Sequence, residues 1–163
     1  MSIVDSYKKA VTDKYERALA FSDKQAAPPF NLFNEKGYEV TLDQFKGKMV
    51  YMSFWASWCQ PCLKEMRESV KNKALLAGHD IVFLYISVDD TREQWKHGIK
   101  QQKAEGVHIW AKGRKGNVAR SYNVVSLPHY FLLDKEGRFI TDFKKASHPD
   151  FIYDMQQRLA ADR

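Results

Sequence analysis

The stretch MVYMSFWASWCQPC, from Met49 to Cys62, decides the fold, because an apolar run leads directly into two cysteines and a helical pattern. Its first seven residues are almost all apolar and rich in β-formers, which is typical of a strand buried on both faces. The segment from Cys59 to Leu76 has the apolar spacing of a helix. Cys59 is therefore expected where a buried strand ends and a helix begins.

A second unit of the same kind follows along the chain. Ile81 to Val88 is another short apolar run, and Thr91 to Lys103 shows a helical pattern. This β-α-β-α order predicts a parallel pair of strands covered by helices, and therefore an α/β fold.

Two turn sequences predict antiparallel hairpins on either side of these units. Downstream, His129 to Leu133 and Arg138 to Thr141 flank the turn sequence DKEG. Upstream, Phe30 to Phe33 and Tyr38 to Leu42 flank NEKG. A closing helix is predicted from Phe151 to Leu159.

The N-terminal segment predicts a helix of its own. Its apolar residues recur every four positions between charged ones, at Ile3, Tyr7, Val11, Tyr15 and Leu19. The sequence AAPP that follows cannot continue a helix and predicts an extended connector. We therefore divide the chain into a leading helix with its connector, residues 1–25, and one domain, residues 26–163.

Size and composition exclude several classes of protein. The 163 residues, 44% of them apolar, suffice for one domain with its own core, so the chain is not globally disordered. The longest apolar runs fall short of the ~20 residues that a membrane span needs. The first residues, MSIVD, lack the charged-then-apolar layout of a secretory signal.

The net charge of +6 does not predict a nucleic-acid-binding face. The basic excess is spread along the chain rather than clustered with stacking aromatics, which favours a solvated basic surface. Its basic pairs are Lys71 and Lys73, Arg114 and Lys115, and Lys144 and Lys145.

The two cysteines carry the chemistry. At a helix N-terminus, unpaired N–H groups and the helix dipole stabilise a thiolate at Cys59, which is the nucleophile of disulfide exchange. Cys62 lies one turn on and can resolve a mixed disulfide, while Pro61 is compatible with the first turn. Half of a zinc site and two inert thiols are the alternatives, but the chain has no other cysteine. The strand-to-helix context favours redox chemistry.

The segment FWASWCQPC, from Phe54 to Cys62, resembles the signature of thioredoxin-like thiol-disulfide oxidoreductases of the TlpA/ResA type. The resemblance extends from about Pro28 to Leu159, through Val118 to Val124 and the segment LPHYFLLD from Leu127. It implies a thioredoxin-like fold with a central mixed β-sheet flanked by helices, an N-terminal β-hairpin and, outside the shared pattern, an extra leading helix.

The resemblance also implies an activity and its partners. We expect an enzyme that exchanges disulfides with protein substrates, needs no cofactor or metal, and acts as a monomer outside the cytoplasm. A separate upstream thiol-disulfide partner would restore its redox state. The direction of electron flow depends on the reduction potential, which the sequence does not give.

Substrate contacts are expected around the cysteines. The resemblance implies a cis peptide at Leu127-Pro128 facing the disulfide, with adjacent backbone free to pair with a bound peptide. We include His129 beside this proline and, around Cys59, an exposed Trp58. Gln60 and Pro61 between the cysteines complete this predicted surface.

Glu65 is the predicted proton carrier. It lies three positions after Cys62 on the same helical face, and it has Glu68 and Ser69 rather than a base at its pairing positions. In similar proteins a glutamate at this offset handles the proton of the second cysteine, although an ordinary surface glutamate is the alternative. The buried acid of thioredoxin itself is Ser53 here, which leaves Glu65 as the nearby candidate.

His129 supports a second hypothesis, since the family commonly has a small hydroxyl residue there. Two thiolates and an imidazole suit Cu(I), so a copper-binding or carrier module using Cys59, Cys62 and His129 is the alternative function.

The remaining aromatic and imidazole side chains show no motif. We expect Trp55, Trp95 and Trp110 to pack in the interior. Four histidines without ligand spacing are expected at the surface or in loops: His79, His97, His108 and His148.

Overall fold

The computed structural model describes residues 2–18 and 20–161. A 3₁₀ turn at Leu42–Phe45 precedes the central strand. The helices are α1 (Ile3–Ala18), α2 (Gln60–Leu75), α3 (Arg92–Gln102), α4 (Asn117–Ser121) and α5 (Phe151–Ala161). The strands are β1 (Asn31–Phe33), β2 (Glu39–Thr41), β3 (Met49–Trp55), β4 (Ile81–Ser87), β5 (Val107–Trp110), β6 (His129–Leu133) and β7 (Phe139–Ile140).

β3 lies at the centre of a five-stranded mixed sheet with the order β5-β4-β3-β6-β7. It is parallel to β4 and antiparallel to β6, and all seven of its residues are buried. Both predicted hairpins are confirmed, since β1 pairs with β2 and β6 pairs with β7 in antiparallel register. The mixed sheet and its N-terminal hairpin agree with the predicted thioredoxin-like class.

Alternate residues of β3 pack into two separate cores, one on each face of the sheet. Met49 and Tyr51 pack with Phe151 of α5, whereas Met52 and Phe54 belong to the larger core on the other face. This is the period of two that a strand imposes on its side chains. Helices therefore cover both faces, and the C-terminal end of β3 delivers the cysteines to the edge between them.

Two elements escaped the sequence analysis, β5 and α4, because four or five residues are too few to show a period. β5 pairs parallel with β4 at the edge of the sheet. It buries His108, so the prediction that this histidine lies at the surface or in a loop is wrong. The His108 ring stacks on Tyr85 at 4.8 Å, and its Nε2 lies 2.7 Å from the carbonyl oxygen of Ala104. Burial lowers the pKa of this imidazole.

α1 is present as predicted, but the first three members of its apolar stripe, Ile3, Tyr7 and Val11, face solvent. Ile3 is 89% exposed, and Val11 is also exposed. The predicted stripe ends at Leu19, which lies outside the described residues. The division of the chain at residue 25 stays a prediction. No helix in residues 2–18 and 20–161 is both long and apolar enough to cross a membrane.

Candidate active site

Cys59 occupies the N-cap of α2, as the sequence predicts, and forms a disulfide with Cys62. The two Cα atoms are 5.3 Å apart, and the Cys59 Sγ accepts a hydrogen bond from the Cys62 N–H at 3.3 Å. Pro61 lies in the first turn of the helix, where its missing N–H leaves no hydrogen bond unmade. The position of Cys59 thus satisfies a donor that the helix end would otherwise leave unpaired.

The two cysteines differ in burial. Cys59 is 5% exposed and Cys62 is 1% exposed, so the second cysteine is the more shielded. Three neighbours on the surface are exposed: Trp58, Gln60 and Pro61. Trp58 is 51% exposed, whereas Trp55 is buried in β3, which confirms the contrast that the sequence predicts for these two rings.

The Leu127-Pro128 peptide is cis, as the resemblance implies. Pro128 lines a cavity of about 10 Å³ together with Cys62 and Glu65, which brings the proline and the second cysteine to one site. The same proline, with His129, also borders a larger groove of about 590 Å³. That groove runs along β6 toward the segment before β1 and is rich in aromatic side chains, among them Phe21, Tyr130, Phe139 and Phe143.

His129 is half-buried, and its ring stacks on Phe131 at a centroid distance of 4.5 Å. Across residues 2–18 and 20–161, no three His, Cys, Asp or Glu side chains gather as ligands for a metal ion. The copper-binding alternative therefore has no three-ligand site in the described part of the chain.

Glu65 is buried on the inner face of α2, and its carboxylate is held by the segment before α5. It accepts hydrogen bonds from the N–H and Oγ of Ser147 at 3.1 and 2.6 Å. The Lys145 ammonium lies 3.7 Å from its Oε2. Glu65 therefore has a basic partner after all, supplied by a residue 80 positions away in the sequence. Lys64 pairs with Glu68 at 3.8 Å, as the helical spacing predicts.

Lys73 is buried at the same cavity, so its assignment to the solvated basic surface is wrong. It donates to the Tyr85 hydroxyl and to the carbonyl oxygen of Glu105, and its ammonium lies 4.5 Å from the Tyr85 ring centroid. Burial lowers the pKa of Lys73 to about 8. Tyr85 stands opposite Ser53 in the register of β4 with β3, and it lines the cavity together with Cys62.

Besides Tyr85, two further tyrosines line this cavity, Tyr51 on β3 and Tyr130 on β6. Burial raises the pKa of both phenols, and the nearby charge of Glu65 raises it further. Both phenols therefore stay neutral at physiological pH. With Tyr85, the cavity behind Cys62 thus combines one acid, one amine and three phenols.

Asp89 is a residue of the site that the sequence analysis missed. It lies two residues beyond the end of β4, is 0% exposed, and accepts hydrogen bonds from Ser57 in the loop before Cys59. The only available sequence signal was its position after a buried strand, where loop residues of α/β folds carry function.

Comparison with known proteins relates most of this chain to thiol-disulfide redox proteins. The sequence profile of the AhpC/TSA family matches residues 24–141. The thiol-disulfide oxidoreductase ResA of Bacillus thuringiensis subsp. konkukian (strain 97-27) is 32% identical over 118 residues, which are 72% of this chain and 67% of that protein. ResA of Geobacillus kaustophilus (strain HTA426) is 29% identical over 129 residues, 77% of this chain and 71% of its own length.

Solved structures give the same relationship. The thioredoxin domain of a thiol-disulfide oxidoreductase from Bacteroides vulgatus superposes with a TM-score of 0.73 at 27% identity, over 85% of this chain and 97% of its own. A thiol:disulfide interchange protein from a Bacteroides species has a TM-score of 0.73 at 26% identity, over 86% and 91% of the two chains. With the profile match covering the sheet and both cysteines, this chain belongs to the AhpC/TSA family of thioredoxin-like proteins.

Proposed function

We propose that this chain is a thiol-disulfide oxidoreductase that exchanges disulfides with protein substrates through Cys59 and Cys62. The observation that carries the proposal is the position of Cys59 at the N-cap of α2, one turn before a more buried partner cysteine. An N-cap thiolate is stabilised by free N–H groups and by the helix dipole. The names of the relatives support the same activity.

The exchange proceeds in two steps in the reducing direction. The Cys59 thiolate attacks one sulfur of the substrate disulfide, so a bond forms between Cys59 and the substrate while the substrate S–S bond breaks. The departing substrate sulfur leaves as a thiolate and takes up a proton. The Cys62 thiolate then attacks the Cys59 Sγ, which forms the Cys59–Cys62 disulfide and releases the second substrate thiolate. Two electrons pass from the cysteine pair to the substrate, and an upstream dithiol partner restores them.

Glu65 accepts the proton of the Cys62 thiol in this proposal. Both residues line the same cavity, whose volume of about 10 Å³ is close to the ~10–15 Å³ that one water needs. Ser147 and Lys145 fix the carboxylate at that wall. A positioned acid or base of this kind contributes typically ~10²–10⁴-fold to a proton transfer.

The substrate lies across the rim formed by Trp58, Gln60 and Pro61 and along Leu127, Pro128 and His129. Trp58 offers an exposed ring beside the attacking thiol. The aromatic groove next to Pro128 extends this surface along β6. We propose that the protein works outside the cytoplasm as a monomer.

The test is to trap the intermediate. Cys62→Ser should accumulate a mixed disulfide through Cys59 with a disulfide-bearing protein substrate, and Cys59→Ser should accumulate none. In the reduced parent at near-neutral pH, iodoacetamide should modify Cys59 before Cys62, as read by peptide mass mapping. Modification of Cys62 first, or trapping through Cys62, contradicts the assigned roles. Stoichiometric Cu(I) in protein purified in the reduced state would favour the carrier alternative instead.

A further inference from the structure

The carboxylate of Asp89 holds the chain segment that leads into Cys59. Its Oδ1 accepts hydrogen bonds from the Ser57 N–H at 3.0 Å and from the Ser57 Oγ at 2.7 Å. Its Oδ2 accepts one from the Ser87 Oγ at 2.7 Å. Among the ion pairs of the described residues, none involves Asp89. The side chain is therefore a buried acceptor satisfied by hydroxyls and a backbone N–H.

The surrounding elements fix this contact from two further sides. The Trp110 indole N–H of β5 donates to the Asp89 carbonyl oxygen at 2.8 Å, and Trp110 stacks on Trp95 of α3. Gly98 of α3 faces Ser57 so closely that a Cβ at this glycine would lie 2.8 Å from the Ser57 Cβ. The loop before Cys59 is thus clamped between the end of β4 and α3.

Cys59 is the titratable group nearest to Asp89 along the clamped loop. Residues 56–58 of that loop are Ala, Ser and Trp, and the contacts from α3 and β5 come from Gly98 and Trp110. The neighbouring acid, Asp90, is exposed. The Cα atoms of Ser57 and Cys59 are two residues apart, so they are separated by at most ~7.6 Å.

Geometry and charge act together at this position. Burying a carboxylate costs free energy even when it is hydrogen-bonded, so a lone buried Asp is expensive if it serves packing alone. A fixed negative charge near a thiol disfavours the thiolate, which is opposite to the effect of the helix N-terminus. Because the reduced form carries that thiolate, a less stable thiolate makes the disulfide harder to reduce.

We infer that Asp89 is a positioning residue of the disulfide exchange, which orients Cys59 through Ser57 and lowers the reduction potential of the pair through its charge. The inference rests on the proposed function, since it takes Cys59 as the attacking thiol. In this arrangement two groups act oppositely on Cys59: the N-terminus of α2 stabilises its thiolate, and the charge of Asp89 limits that stabilisation.

The test compares Asp89→Asn with Asp90→Asn, which removes the same charge from the exposed neighbour. In the reduced protein, the pH midpoint of Cys59 alkylation should fall in Asp89→Asn, and the equilibrium with glutathione should shift about tenfold toward the dithiol form. Asp90→Asn should change that equilibrium less than twofold. Ser57→Ala removes the hydroxyl that Asp89 holds, so it should slow disulfide exchange severalfold. Because this variant keeps the charge of Asp89, its alkylation midpoint should move less than that of Asp89→Asn.

Other outcomes separate the inference from the function. An unchanged alkylation midpoint and an unchanged glutathione equilibrium in Asp89→Asn would overturn the inference, whatever happens to the melting temperature. If that variant fails to fold, Ser57→Ala decides, and an unchanged exchange rate there overturns the inference. Failure of the parent to reduce any protein disulfide would overturn the proposed function instead, and it would leave the alkylation comparison intact because alkylation needs no substrate.

Discussion

α1 and α2 are helices of equal length, 16 residues each, and the sequence predicts both from apolar periodicity. They differ in what they bury. The large apolar residues in the first nine positions of α1, Ile3, Val4, Tyr7 and Val11, lie exposed to solvent. α2 packs on the sheet, and its buried face includes polar side chains as well as apolar ones. The polar members of that face are Glu65, Ser69 and Lys73.

The difference shows that periodicity predicts a helix but not what covers it. α2 is fixed because β3 leads directly into it at Cys59, whereas α1 precedes the first strand and its described apolar side chains are exposed. Polar groups on the inner face of α2 are costly to bury unless they are paired. Each is paired here, and Glu65 and Lys73 lie at the cavity behind Cys62.

The largest difference between α1 and α2 is expected in what each contributes to the free energy of unfolding. Met66→Ala removes a buried side chain of α2 and should lower the free energy of unfolding by ~2–5 kcal/mol, because it leaves a cavity in the core. Val11→Ala on the exposed face of α1 should change it by ~0.5 kcal/mol or less. Urea unfolding of both variants measures the difference. Equal losses would mean that α1 is packed against a partner in solution.

The second contrast concerns activity within α2. Glu65→Gln should slow disulfide exchange by ~10²-fold or more and change its pH dependence, since the buried proton acceptor near Cys62 is lost. Glu68→Gln is the matched control, because the Glu68 carboxylate is exposed and pairs with Lys64 on the same helix. The rate of protein disulfide reduction is measured from pH 5 to 9. A Glu65→Gln profile that overlays the parent would return this residue to a structural role.

Lys73 should give a smaller effect, which appears as a pH dependence of the free energy of unfolding. Its pKa is lowered from 10.5 to about 8 by burial, so between these values the unfolded chain binds a proton that the folded protein does not. The free energy of unfolding should therefore rise with pH from about 8 toward 10. The raised pKa values of Tyr51, Tyr122 and Tyr130 oppose this only above about pH 10.

Lys73→Met should abolish this rise in the oxidised protein, in which the disulfide cysteines do not titrate. Lys71→Met, two positions away and exposed, should retain it. Urea unfolding at intervals between pH 7 and 9.5 measures both. A slope that persists in Lys73→Met would assign the titration to another group.

Local sequence patterns, in the segment around Cys59 and in the two turn sequences, were sufficient to predict much of the fold. The central strand, the helix after it, the parallel β4 and the two hairpins all depend on periodicity and turn chemistry within about 20 residues. The position of Cys59 at the start of α2 follows from the same local pattern. The family resemblance added the cis peptide before Pro128, because a lone proline in a sequence favours trans.

What the sequence did not predict depends on contacts between distant residues. The cation beside Glu65 comes from Lys145, and the acid that holds Ser57 comes from Asp89. Lys73 looks like any surface lysine until β4 brings Tyr85 beside it. β5 has only four residues, too few for a period, so the burial of His108 could not be anticipated.

The smallest expected effect is that of removing α1 altogether. Deleting residues 2–18 should leave the rate of disulfide exchange unchanged and the melting temperature within about 2 °C of the parent, because the described side chains of this helix bury little surface. Extending the deletion through Phe21 should cost much more, since that ring stacks on Phe139 at 4.5 Å and packs edge-on against Phe131. Calorimetry of the two truncated proteins measures the difference between their melting temperatures. A large loss in the shorter deletion would place the boundary of the folded domain before α1 and remove the contrast between the two helices.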